Sequence, residues 1–352
     1  MIVRALLGAL AGAALGAVAA RTAYAALTRK PPRFGDWDRM NHRKEPVTLL
    51  EGPAFVVGAC TAAAAMPGLP ARIRTGAVLA GLGGGALGVY DDLAGSGSSR
   101  GFRGHLSALA RGEVTSGAVK IVGIGATGVA AAALAGGRTG GGPVAKAADT
   151  LVSGALIAGS ANLANLFDLR PGRAIKVGLL AGAPLLAASL RDPRTAALTA
   201  IPLGAAAALL PEDLGERAML GDGGANALGA LLGLAAVTRL GAKGRIATLA
   251  VVAGLTAASE KVSFTKVIAA NPVLNRIDML GRRAPASAPA VPTDPAPAAP
   301  EDTRAQASPP VEPAASAEPG SAAIRGPVAA TAVPSTVISP LPEIREPDVS
   351  PA

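Results

Sequence analysis

Hydrophobic and polar positions divide the chain into two unequal parts. Over roughly the first 260 residues, apolar stretches at about 2–27, 53–70, 73–90, 114–136, 147–167, 174–190, 195–210, 218–238 and 245–259 alternate with short polar connections. Each comes close to the ~17–25 residues a helix needs to cross the hydrocarbon core of a bilayer. The pattern predicts an all-α, polytopic integral membrane protein of about nine to ten transmembrane helices. From about Ala284 the periodicity stops, and Pro, Ala, Ser and Glu take over. Such a segment buries too little apolar surface to offset its chain entropy. A membrane domain over 1–283 and a disordered tail over 284–352 are therefore expected.

Lysine and arginine in the short loops set the orientation. The first loop carries Arg29, Lys30, Arg33, Arg39, Arg43 and Lys44; the third carries Arg100, Arg103 and Arg111; the fifth carries Arg170, Arg173 and Lys176. The loops between them hold only pairs or triples, such as Arg72/Arg74 and Arg191/Arg194. The bias puts the N-terminus outside and the tail in the cytoplasm. Parity then places Asp91, Asp92, Asp168 and Asp222 on the cytoplasmic side together, as a single active site requires. The first stretch is long and followed by many spans, which favours an uncleaved helix over a signal peptide.

Composition narrows the class further. Half of the chain is hydrophobic, only 2% is aromatic and 45 residues are glycine, a balance that suits closely packed helices in lipid. The net charge of +9 raises the question of nucleic acid. The basic residues mostly flank apolar stretches, however, and few rings are available to stack on bases, so no nucleic-acid partner is expected. The single Cys60 excludes a disulfide framework and a cysteine metal site.

Four polar stretches carry candidate chemistry. The first loop, DWDRMNHRKEPVTLLEG, reads as a topology signal or as a lid over a phosphorylated ligand. Asp91 and Asp92 end the third stretch. Such a pair can share a divalent cation, or divide the work so that one binds metal and the other acts as base or nucleophile. Lys120 lies about two turns into the next helix, where a lysine either snorkels to the interface or neutralises a phosphate. In NLANLFDLRPGRAIK, Asn162 and Asn165 share a helix face and Asp168 continues it. That stripe must face the protein interior, either as a site or as an interhelical hydrogen-bond cluster. Arg170 and Arg173 flank a Pro-Gly turn and are placed to grip a diphosphate. In LGDGGANALGALLG, Asp222 and Gly223 open a helix. A glycine-rich helix start lets a backbone approach an anion, and an N-cap with close packing is the plain alternative. His42 and His105, both in loops, read as surface residues.

Taken in order, GVYDDL, SGAVKIVG, NLANLFD and GDGGANALG resemble the polyprenyl-phosphate N-acetylhexosamine-1-phosphate transferases, over roughly residues 30–280. The resemblance implies Mg²⁺-dependent transfer, with Mn²⁺ as the alternative ion. A sugar-1-phosphate of the N-acetylhexosamine type would pass from a UDP-sugar to a polyprenyl phosphate at the inner face of the bacterial cytoplasmic membrane, releasing UMP. It further implies that Asp91 or Asp92 positions or deprotonates the lipid phosphate and that Asp92, Asp168 and Asp222 hold the metal. Lys120, Asn162, Asn165, Arg170, Arg173, Asp222 and Gly223 would hold substrate. A homodimer, and envelope-assembly proteins bound by the tail, complete the expectation.

Two departures stand out. Where the family continues Asp-Gly-Leu-Asp-Gly, this chain reads Asp168-Leu169-Arg170-Pro171-Gly172-Arg173. The family's histidine-rich loop is replaced by SEKVSFTKVIAANPVLNRIDMLGR, which has Lys261, Lys266 and Arg276 but no histidine. A non-catalytic polyprenyl-phosphate-binding or scaffold relative is the alternative.

Overall fold

The computed structural model describes residues 1–94, 111–112, 115–136 and 141–284. The tail, Arg100, Arg103 and His105 lie outside the described residues. Helix accounts for 77% of what is described, which settles the all-α class. Every one of the nine apolar stretches is a helix: α1 (Ile2–Arg29), α2 (Glu51–Ala65), α3 (Ala71–Ala94), α4 (Ser116–Ala135), α5 (Pro143–Phe167), α6 (Arg173–Ser189), α7 (Pro193–Leu214), α8 (Gly221–Arg239) and α9 (Ala242–Ser259). Two short helices, α10 (Phe264–Ala270) and α11 (Pro272–Met279), follow. A small antiparallel hairpin, β1 (Asp38–Met40) with β2 (Pro46–Thr48), fills the first loop, pairing Arg39 with Val47.

By length and hydropathy, four helices qualify as membrane spans: α1, α4, α5 and α7. A fifth counts if α9 and α10, bent by 94° at a short break, form one broken span. The expected nine to ten is not reached on this measure, for physical reasons. Helices α2 and α6 have 15 and 17 residues. Helix α3 is diluted by glycine and carries Arg72, Arg74, Asp91 and Asp92. Helix α8 is the centre of the bundle, packed against every helix from α2 to α7. Fifteen of its 19 residues are buried in protein, so it needs no lipid-facing apolar surface.

Glycine sets how close the helices come. The longest contact is between α1 and α7, where an added Cβ at Gly16 would lie 2.3 Å from the Ile201 carbonyl oxygen and one at Gly204 would lie 2.1 Å from that of Ala13. Neither space exists without moving a helix backbone. Gly204→Ala should therefore lower the thermal midpoint in detergent, at a cost of about 1–3 kcal/mol from overpacking. Gly254→Ala adds the same methyl where nothing lies within 4 Å, and should leave stability unchanged or improve it. Equal behaviour of the two variants would contradict this packing.

Candidate functional site

The ends of four helices meet around Lys120. The α3 and α8 backbones touch because glycine stands on both sides: a Cβ at Gly88 would lie 2.3 Å from the Asp222 carbonyl oxygen, and one at Gly223 would lie 2.6 Å from Val89 Cγ2. Gly221, at φ +63°, makes the left-handed turn that starts α8 there. Asp92 then reaches over this start. Its Oδ1 accepts the Asp222 amide at 3.2 Å and its Oδ2 the Gly223 amide at 3.0 Å. The helix N-terminus expected to receive a ligand anion is thus capped by a carboxylate from another helix, while Arg39 of β1 donates to the Asp92 carbonyl.

Lys120 sits in the first turns of α4, a helix capped by the Thr115 side chain accepting from the Ala118 amide at 3.1 Å. It is buried rather than snorkelling. Its ammonium forms ion pairs with Asp91, at 3.3 Å, and with Asp222. Asn165, with its amide oriented to satisfy both neighbours, donates to Asp222 Oδ1 at 2.8 Å and accepts from Lys120 at 3.1 Å. Asp91, Asp92, Lys120, Asn165, Asp222 and Gly223 therefore converge.

An apolar groove of about 640 Å³ runs from this cluster between α4, α5 and α9. Lys120 and Asn162 stand at its polar end, Ile121, Ile124, Leu249 and Val252 line its length, and Glu260 and Lys261 also border it. Asn162 thus faces the groove, one turn from Asn165.

A second, polar pocket of about 250 Å³ holds Asp168 and Arg170, with Asn41 and His42 of the hairpin and Asp213 and Glu216 from the end of α7. Burial, with Asp213, Asp222 and Asp92 nearby, holds the Asp168 carboxyl well above its ordinary value, against a hydrogen bond from the Gly221 amide. Burial keeps His42 below the usual histidine range despite Glu216, so it is neutral at pH 7. Glu216 accepts from Asn41 at 2.8 Å and pairs with Arg43 at 3.0 Å, which fixes the hairpin against α7.

Arg173 is not at the site. Its guanidinium grips Asp278 of α11 through two bonds of 2.9 Å and donates to Thr265 at 2.8 Å. Lys176 donates to the Asp278 carbonyl at 2.6 Å and Arg282 to its Oδ1 at 2.6 Å. Arg43 binds the Arg283 and Ala284 carbonyls, and Arg283 pairs with Glu45. The C-terminal helices thus form a strap joining α6 to the hairpin. Asp278 and Glu216 went unnoticed in the sequence because their partners lie 105 and 175 residues away.

Among the described residues, no group of three His, Cys, Asp or Glu side chains is arranged to hold a metal ion. Asp92 is engaged by amides, and Asp168 stands on the wall of the second pocket, so the set Asp92, Asp168 and Asp222 does not close on one point. The carboxylates that do converge, Asp91 and Asp222, with the Asn165 amide oxygen, are hard donors. All three are engaged by the Lys120 ammonium, however, so as arranged they do not fit Mg²⁺. Compared with known proteins, the chain matches no family model and no curated sequence.

Breaking the Arg173–Asp278 pair should loosen the strap. Asp278→Asn is expected to cost about 3–5 kcal/mol locally, because Arg173 is left buried and unpaired, and limited proteolysis should then cut α10–α11 first. Burial alone would raise the Asp278 carboxyl, but Arg173, with Arg282 and Lys176, takes it below its ordinary value. Its stabilisation is therefore present above the ordinary aspartate range near pH ~4 and fades as pH falls through the depressed value. Wild type and Asp278→Asn should converge in strap protection at low pH; a gap that persisted in acid would refute this.

Proposed function

We propose that the protein is a phosphotransferase that moves a sugar-1-phosphate of the N-acetylhexosamine type from a UDP-sugar to a polyprenyl phosphate at the cytoplasmic face of the membrane, releasing UMP. The observation that carries this reading is the convergence of Asp91, Lys120, Asn165 and Asp222, from four helices, at the polar end of a long apolar groove. A lipid tail fits the groove, and its phosphate then meets the Lys120 ammonium. The donor enters from the polar pocket, with its diphosphate toward Arg170.

Phosphoryl transfer asks mainly for positioning and charge neutralisation. An oxygen of the acceptor phosphate attacks the sugar-linked phosphorus. A new P–O bond forms, and the bond to the bridging oxygen breaks, with that oxygen leaving on UMP. Lys120 neutralises phosphate charge, Asp91 holds the ammonium in place, and Asp92 orders the start of α8 that presents Asp222. In this reading all nine long helices belong to the membrane domain of a bacterial cytoplasmic-membrane protein, with the N-terminus outside and the tail inside. The tail meets envelope-assembly partners, and the chain pairs as a homodimer.

One observation favours the alternative, a non-catalytic polyprenyl-phosphate-binding relative: Arg173 is committed to Asp278, so of the two arginines on its turn Arg170 alone borders the donor pocket.

Purified protein incubated with polyprenyl phosphate, UDP-sugars and Mg²⁺ should release UMP and form lipid-linked product. Lys120→Met and Asp92→Asn should each lower that rate by about 10²-fold or more. Polyprenyl-phosphate binding with no turnover on any donor would replace the transferase reading by the alternative.

A further inference from the structure

The strap carries Lys266 and Arg276, which the proposed transfer leaves unused. Its two helices turn their polar side inward. No residue of α10 is buried, and the single buried residue of α11 is an acid, Asp278. Toward the protein they present Thr265 and Asp278, both held by Arg173, and Phe264, stacked on Phe167 at 4.8 Å. The apolar residues point the other way: Val273 and Leu280 are 68% and 70% exposed, and Val267, Leu274 and Ile277 are exposed too. In α11, Val273, Arg276 and Ile277 fall at i, i+3 and i+4, so they share the face away from Asp278.

What covers that face follows from the helix that leads into it. Only Arg245 and Val252 of α9 are buried, and Ile246, Val251 and Leu255 are exposed along its length, as suits a helix in lipid. The chain then turns by 94° into α10. A helix that crosses a bilayer and turns through a right angle continues along its surface, where apolar side chains enter the acyl boundary and cations stay among the headgroups. Lys266 and Arg276 are exposed and make no hydrogen bond or ion pair among the described residues. The only acids between Glu260 and Arg283 are Glu260, which closes α9, and Asp278, which faces inward. A second copy of the chain is a poorer occupant, because two-fold pairing brings the same cationic face together.

We infer that α10 and α11 lie on the bilayer surface at the Lys120 end of the bundle, seated on anionic lipid. Val267, Val273, Ile277 and Leu280 enter the acyl boundary, and Lys266 and Arg276 meet the headgroup phosphates. The inference rests on the membrane reading of the bundle and not on the transferase chemistry.

The test uses the full chain in nanodiscs of phosphatidylcholine, alone or mixed equally with phosphatidylglycerol. Cys60 is buried, so a fluorophore can be placed selectively through Val273→Cys, with Val251→Cys on α9 as the membrane reference. Lipids brominated on the acyl chain should quench both labels. Amide exchange across α10 and α11 should slow by about tenfold when phosphatidylglycerol is present, and the double variant Lys266→Gln, Arg276→Gln should lose that difference. Both side chains are exposed and unbonded, so the variant should fold; if it does not, the wild-type comparison of the two lipids decides. Quenching at the Val251 position without quenching at the Val273 position overturns the strap's placement and leaves the membrane domain standing. Quenching at neither overturns both. Equal exchange in the two lipids overturns the anionic seat. A cross-link between two Val273→Cys copies, in place of quenching, gives the face to a second copy and overturns the proposal.

Discussion

The structure turns on the Lys120 ammonium held between Asp91 and Asp222. Without it, Asp91, Asp92 and Asp222 would be three carboxylates at touching helix ends, each losing hydration and repelling the others. A buried pair of this kind contributes little net stability compared with an apolar core, but removal of one partner is costly. Its presence at the end of an apolar groove is therefore better explained by use than by stability. The glycines at 88, 221 and 223 follow from it. Only a backbone-to-backbone approach of α3 to α8 brings Asp92 onto the amides of Asp222 and Gly223, and that approach leaves no room for a Cβ.

Much of this was legible in the sequence. Apolar periodicity located all nine long helices, and the i, i+3 spacing of Asn162 and Asn165 placed both at the site. What pattern reading missed was pairing at a distance. Arg170 and Arg173 look equivalent across the Pro-Gly turn, yet Arg170 borders the pocket and Arg173 turns to α11, because Asp278 waits there. Loop sequence carries no sign of which cation an acid 105 residues away will claim. The span count falls short on hydropathy for a related reason. Hydropathy measures what a segment would show to lipid, and α8 shows almost nothing, being enclosed by six other helices.

The replaced loop near the C-terminus makes sense in the same terms. By gathering Arg173, Lys176 and Arg282 onto Asp278, α10 and α11 remove three cations from the neighbourhood of the pocket and use them to tie the strap down. Among the described residues, Lys120 and Arg170 then face Asp91, Asp92, Asp168, Asp213, Asp222 and the buried Glu51. With Glu216 and Arg43 cancelling each other, acids outnumber cations here, and burial pushes the Asp168 carboxyl toward its neutral form. In so poorly hydrated a setting charges are weakly screened, so a diphosphate brought here depends on Lys120 and Arg170 for neutralisation.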